Sequence, residues 1–255
     1  IRLIASDMDA TLLDEHSCLP AGFEQTVRAL AALGIRFAPA SGRPLYTLEA
    51  MFPTLQDELV FIGDNGGAIR WKGQNLFTSE MSPEGWRALN RLTREQGDIA
   101  VLCGLESAYV ERPFAVHDAV LRHFYTKIEY VDRLEDVTAP ADKFTIYLPQ
   151  HNAQQAYDTV YASQRSIYSV AVAGECWVDI MNPGVHKGAA LQTLGQLWGL
   201  PSESMMAFGD TYNDAEMLTA AKYGFLMENG SEPLRQKVPF LAPSHREAGV
   251  MQVLH

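Results

Sequence analysis

The feature that most constrains this chain is an interruption. Up to about residue 81, short apolar runs that read as buried parallel strands alternate with segments of helical period. The runs are Leu3–Ser6, Ile35–Pro39 and Leu59–Ile62, and the helices Pro20–Leu33 and Pro44–Met51. In the first helix Phe23, Val27, Leu30 and Ala31 fall on one stripe, with proline near the start and Gly34 at the stop. Gly66–Phe77 reads as a hairpin turning near Lys72-Gly73. From Ser82 the pattern changes. A helix (Ser82–Gln96) precedes two close strands, Ala100–Cys103 and Ser107–Val110, and a helix near Ala115–Phe124. Strand Lys143–Leu148, helix Asn152–Gln164 and strands Tyr168–Ala173 and Trp177–Ile180 follow, a texture of antiparallel pairs. After Asn182-Pro183-Gly184 the first texture returns, with helices Lys187–Trp198 and Tyr212–Ala220 and strands Met205–Phe208 and Tyr223–Met227. The expected fold is α/β: a parallel-sheet core built from residues 1–81 and 184–255, with an inserted α+β domain over 82–183.

Four groups of polar residues fall where such a core places ligands, beyond the carboxyl ends of its strands. Asp7-Met8-Asp9-Ala10-Thr11 follows the first strand. Two aspartates one residue apart can share a magnesium ion, a hard cation that takes oxygen ligands, while one of them attacks an electrophile. Ser41-Gly42-Arg43-Pro44 follows the second strand and opens a helix, offering a hydroxyl and free N–H groups to an anion. Lys187 stands where the core resumes, and Gly209-Asp210-Thr211-Tyr212-Asn213-Asp214 follows a later strand. Each alone is explained as well by a turn, a helix cap or a solvated lysine. All four at one sheet edge point to one crevice.

Charge narrows the partners. Lys+Arg total 20 against Asp+Glu 31, a formal net charge of −11, so a nucleic-acid backbone is repelled, and a small phosphorylated metabolite stays open as a partner only where local cations overcome that field. Cys18, Cys103 and Cys176 show neither zinc spacing nor a disulfide framework. The opening apolar run ends at Asp7, too short for a signal-peptide core, and no stretch approaches a membrane span. The expectation is a cytoplasmic protein, monomeric or weakly dimeric, with no membrane partner.

In order and spacing, Asp7-Met8-Asp9-Ala10-Thr11, Ser41, Lys187 and Gly209–Asp214 resemble the haloacid dehalogenase superfamily. The insertion between the second and third motifs resembles the type IIB cap of its Cof-type phosphatases. Supporting likenesses are Gly63-Asp64-Asn65-Gly66-Gly67-Ala68, Gly184-Val185-His186-Lys187-Gly188 and Met227-Glu228-Asn229-Gly230. Cys103–Tyr109 and Asp210–Leu218 look most like the bacterial sugar phosphatases. The resemblance implies a Rossmann-like core and a Mg²⁺-dependent phosphatase working through an aspartyl-phosphate. It makes Asp7 the nucleophile and Asp9 the general acid and base, which favours phosphoryl chemistry over dehalogenation. Mg²⁺ would be held by Asp7, the Asp9 carbonyl and Asp210. Ser41, the Gly42 amide, Lys187 and Asn213 would hold phosphate, with Asp214 behind them.

One position departs from the pattern: the glycine usual after the second aspartate is Ala10. Alanine costs little at negative φ and about 1 kcal/mol or more at positive φ; the expectation is a tolerated substitution with a slightly altered turn. Candidate substrate contacts are Arg43, Glu106, Ser107, Tyr109 and Lys143. The seven histidines lack metal spacing, and Trp71, Trp86, Trp177 and Trp198 read as packing. Three alternatives stay open at this point: a phosphomutase using the same chemistry, a catalytically weakened phospho-ligand sensor, and a narrow phosphatase for pyridoxal phosphate or flavin mononucleotide.

Overall fold

A computed structural model describes residues 1–255. Five strands come first: β1 (Leu3–Asp7), β2 (Arg36–Ala40), β3 (Val60–Gly63), β4 (Ala68–Trp71) and β5 (Gln74–Thr78). Then come β6 (Ile99–Gly104), β7 (Ala108–Glu111), β8 (Ile128–Val131), β9 (Ala141–Tyr147), β10 (Ser169–Ala173) and β11 (Trp177–Met181). The last three are β12 (Met205–Gly209), β13 (Tyr223–Met227) and β14 (Phe240–Ala242). The helices are α1 (Phe23–Ala32), α2 (Leu45–Ala50), α3 (Pro83–Gln96), α4 (Asp118–Phe124), α5 (Ala153–Thr159), α6 (Lys187–Trp198), α7 (Ala215–Ala220) and α8 (Gly249–Leu254).

The first and last groups of strands build one eight-stranded sheet in the order β14-β13-β12-β1-β2-β3-β4-β5. It is parallel from β14 to β3, and the β3-β4-β5 edge is antiparallel. Apolar side chains on both faces explain this arrangement. Ile4, Phe37, Phe61 and Phe208 pack with α1, α2 and α8, while Leu3, Ala5, Ala38 and Ile62 pack with α6 and α7 on the other face. Each buried Leu, Ile or Phe contributes about 1.5–3 kcal/mol, so this double layer dominates the stability of the core.

Residues between β5 and α6 form a second, six-stranded sheet, β10-β11-β9-β6-β7-β8, antiparallel except where β7 meets β8. Its residues alternate with period two. Leu102, Phe144, Ile146, Val178 and Ile180 face α3 and α5, whereas Val101, Cys103, Val110 and Trp177 face α4. Helix α3 begins as its sequence dictates: the Ser82 hydroxyl accepts from the Gly85 amide at 3.1 Å, Pro83 follows, and Gly97 closes the helix at φ 76°. The chain crosses between the sheets twice, and Asn182 ties the crossings together. Its amide donates to Ser79 O at 3.3 Å, Ser79 Oγ at 3.1 Å and Glu80 O at 2.8 Å.

The structure adds β8, β14 and α8, which the sequence pattern does not announce. Strand β8 is mostly half-buried at a sheet edge and β14 is three residues long, so neither carries a clear apolar alternation. The helix expected near Ala115–Phe124 begins as a 3₁₀ turn, and that expected over Asn152–Gln164 breaks at Val160 into another. No helix is long and apolar enough to cross a membrane.

Candidate active site

Strand β1 lies between parallel neighbours β2 and β12, reached by connections running in opposite directions along the sheet. Such a switch point opens a crevice at the carboxyl ends of the strands. Asp7 is the last residue of β1, Ser41 follows β2, Asp64 follows β3 and Asp210 follows β12. Lys187 reaches the same place from the first turn of α6.

Lys187 is 1% exposed and bridges two carboxylates, 2.5 Å from Asp7 Oδ1 and 2.7 Å from Asp214 Oδ1. The other oxygen of Asp214 accepts from the Asp210 amide at 3.0 Å and the Thr211 amide at 3.2 Å. Thr211 and Asp214 thereby form a reciprocal cap. Gly209 makes this possible, since a Cβ there would lie 2.5 Å from that of Asp214. Thr11 donates to Asp210 Oδ1 at 3.3 Å.

One carboxylate oxygen from each of Asp7, Asp210 and Asp214 falls within 4.8 Å of the others. Burial, with Asp214 nearby, pushes the Asp7 carboxyl well above its ordinary range against the pull of Lys187. The same two causes push Asp210 up to about 7. Burial alone would lower Lys187, but Asp214 and Asp7 outweigh it and hold the ammonium above its usual value. Three buried acids share one buried cation, an all-oxygen set with excess negative charge that suits a hard divalent ion. On that ground the residues fit magnesium.

The turn after Asp7 carries the departure noted in the sequence. Ala10 sits at φ 57°, ψ 14°, the left-handed region, so the alanine is strained by about 1 kcal/mol. Asn229 supports the turn, donating to Ala10 O at 2.9 Å while its own oxygen accepts from the His245 amide at 3.0 Å.

Around Ser41 the chain is clamped from both sides. Ser41 Oγ accepts from the Arg43 amide at 3.1 Å, and Gly42 O accepts from Lys143 Nζ at 2.5 Å. Lys143, on β9 of the second sheet, is 1% exposed and also pairs with Asp64 at 3.0 Å and Asp179 at 3.5 Å. Asp179 accepts from Thr145 at 2.7 Å and from Asn65 at 2.9 Å. Beside them burial, then the Asp64 charge, drives Asp142 well above the ordinary carboxyl range. The Arg43 guanidinium grips both oxygens of Asp9, one contact at 3.0 Å, although the Asp9 side chain is 58% exposed.

A cavity of about 610 Å³ joins these groups. Asp7, Asp9, Ser41, Gly42, Arg43, Asp210 and Asn213 line it from the core, and Lys143, Asp179, Phe124 and Trp177 from the second sheet and α4.

A profile of the haloacid dehalogenase-like hydrolase family matches residues 4–254. The chain belongs to that family. Among curated relatives of this haloacid dehalogenase-like hydrolase, 5-amino-6-(5-phospho-D-ribitylamino)uracil phosphatase YbjI of Escherichia coli (strain K12) is 32% identical, covering 100% of this chain and 95% of the relative. HMP-PP phosphatase of Cronobacter sakazakii is 30% identical, covering 94% of this chain and 89% of the relative. Among solved structures, SMU.1108c from Streptococcus mutans UA159 superposes with a TM-score of 0.89 at 28% identity, covering 100% of this chain and 97% of that one.

In this hydrolase the crevice gathers Asp7, Asp9, Ser41, Gly42, Arg43, Lys143, Asp210 and Asn213, with Lys187 and Asp214 directly behind. It does not gather Glu106, Ser107 or Tyr109, expected as substrate contacts. Glu106 turns away to Arg70 at 2.6 Å, the Ser107 hydroxyl bonds Ala108 O at 3.3 Å, and Tyr109 packs against the core of the second sheet. Lys143 lines the cavity, but its ammonium is committed to Gly42, Asp64 and Asp179. Asp179, Asn65, Phe124 and Trp177 are additions that the sequence reading does not select. Asn65 stands inside a noted motif, whereas Asp179 sits in a buried strand with no local signal.

Proposed function

We propose that this hydrolase is a Mg²⁺-dependent phosphatase of small phosphorylated metabolites, with residues 82–183 acting as a cap over the crevice. The observation that carries the reading is the Lys187 bridge between Asp7 and Asp214 beside Asp210, with Asp9 two residues after Asp7 at the mouth. The phosphatases named among its relatives agree with it.

In this reading an Asp7 carboxylate oxygen attacks phosphorus, and the bond from phosphorus to the leaving oxygen breaks. Lys187, the Ser41 hydroxyl and the Gly42 amide neutralise and orient the phosphoryl oxygens, with Asn213 at the rim, and Asp214 fixes Lys187. Asp9 rotates off Arg43, takes a proton from solvent and gives it to the leaving oxygen. It then takes a proton from the water that attacks the aspartyl-phosphate, releasing phosphate and restoring Asp7. The Asp7 and Asp210 carboxylates and the Asp9 carbonyl would hold Mg²⁺, which would supply charge neutralisation for the phosphoryl group.

The proposed substrate is a phosphate ester of a hydroxylated, sugar-like chain. Asn65 Oδ1 supports this, being a buried acceptor without a partner in the cavity wall, available to a substrate hydroxyl. The test is phosphate release from sugar phosphates, nucleotides and p-nitrophenyl phosphate, with Mg²⁺ or EDTA, for wild type and Asp7→Asn. Metal-dependent release lost in the variant is expected. Folded protein that releases no phosphate from any ester overturns the reading.

A further inference from the structure

Three consecutive carbonyls run through the loop after β2, and each is taken by a donor from outside it. Ser41 O accepts from the Asn65 amide at 2.9 Å, Gly42 O from Lys143 Nζ at 2.5 Å, and Arg43 O from the Asp64 amide at 2.9 Å. In a planar trans peptide the C=O and the following N–H point to opposite sides, so fixing one aims the other. The Asn65 amide on Ser41 O therefore aims the Gly42 N–H, which has no hydrogen-bond partner within the protein. Lys143 on Gly42 O aims the Arg43 N–H, which donates to Ser41 Oγ at 3.1 Å. A hydroxyl that accepts there keeps its own proton for an anion. The buried ammonium also polarises the peptide between them, which strengthens that N–H as a donor.

Both peptides are thus set from the second sheet, one directly and one through a turn. Asp64 and Asn65 stand at φ 50° and 55°, left-handed backbone that a non-glycine residue keeps only where its surroundings hold it. Side chains of the second sheet hold both. Lys143 on β9 pairs with Asp64 at 3.0 Å, and Asp179 on β11 accepts from Asn65 Nδ2 at 2.9 Å. Gly42 leaves room for this arrangement, since a Cβ there would lie 3.2 Å from Asn65 Oδ1. Lys143 and Asp179 are 1% and 4% exposed, so water does not compete for these contacts.

We infer that Lys143 and Asp179 are positioning residues for the phosphate loop: Lys143 aims the Ser41 hydroxyl through the Gly42–Arg43 peptide, and Asp179 aims the Gly42 amide through Asn65. The inference rests on the phosphatase reading in taking this loop as the phosphate site, but it concerns binding and is read without turnover. Inorganic phosphate is titrated calorimetrically into the whole protein with Mg²⁺ present, and circular dichroism checks that each variant is folded. Lys143→Met is expected to weaken phosphate by about tenfold or more, the scale of one lost charge-assisted contact. Asp179→Asn, nearly the same shape, should weaken it about threefold, and it carries the test if Lys143→Met does not fold.

Two further variants separate positioning from mere support of the fold. Glu106→Gln frees Arg70, another tie between the two sheets at 2.6 Å, without touching the loop, and should leave phosphate affinity unchanged. In a Ser41→Ala background the Lys143→Met loss should shrink to about threefold or less, because residues acting through one contact are not additive. Several results overturn the inference: no phosphate binding to wild type, unchanged affinity in folded Lys143→Met or Asp179→Asn, an equal loss in Glu106→Gln, or full additivity with Ser41→Ala. Phosphate binding with the expected dependence on Lys143, but no release from any ester, would sink the phosphatase reading and leave the loop assignment standing. Metal-dependent release with phosphate affinity unchanged in both variants would do the reverse.

Discussion

Two lysines, Lys187 and Lys143, are equally buried and each is paired with two aspartates, yet they hold together different things. Lys187 lies wholly within the core and faces Asp7 and Asp214, with Asp210 adjoining. That group is electrostatically unfinished, because acids outnumber the cation and burial raises Asp7 and Asp210. Lys143 reaches from the second sheet into the core, where Asp64, Asp142 and Asp179 likewise outnumber it, but its ammonium is taken up by Asp64, Asp179 and the Gly42 carbonyl. Asp179 draws donors from Thr145 and Asn65, and the ammonium's remaining contact is a backbone carbonyl. A buried ion pair therefore does not by itself mark a reaction centre. What sets the Lys187 group apart is that one oxygen from each of its three acids converges within 4.8 Å of the others.

Breaking each lysine separates the two roles. Lys187→Met should lower kcat/KM for phosphate release by about 10³-fold, the loss expected when a preorganised charge is removed from a transition state. A loss under tenfold would show that the Lys187 group is structural. Lys143→Met should act first on stability, costing about 3–5 kcal/mol in denaturant unfolding because Asp64 and Asp179 lose their buried cation. If stability held while activity vanished, Lys143 would have to be moved into the reaction. Mg²⁺ sharpens the contrast further. Its addition should raise the thermal midpoint by several degrees, corresponding to about 2–3 kcal/mol at a hundredfold excess over Kd. Asp210→Asn should abolish that rise and Asp179→Asn preserve it; the opposite pattern would put the metal at the wrong cluster. The smallest effect belongs to Ala10→Gly. Relief of left-handed strain is partly cancelled by glycine's backbone entropy, so a stabilisation under about 1 kcal/mol is expected, without loss of phosphate release. A destabilised variant would mean that the alanine methyl packs usefully.

The same contrast explains what was readable in the chain. Asp7, Ser41, Lys187 and Asp210 are legible because each follows a recognisable strand or opens a helix, and the topology of a parallel sheet does the rest. The strand-and-helix order of the core is legible for the same reason. The Lys143 group is not, since Asn65 and Asp179 meet across 114 residues and two sheets, and no local pattern encodes that meeting. Glu106, Ser107 and Tyr109 lie outside the cavity lining, since a short motif fixes their order but not which way the hairpin faces. Trp177 packs as the sequence suggests and also lines the cavity.

Asn182 has a consequence of its own. By binding Ser79 and Glu80 it fastens the outgoing and returning chains side by side. A segment whose two ends already meet enters and leaves the core at one place, so its remaining ties to the core are side-chain contacts such as Lys143 to Gly42 and Asp179 to Asn65.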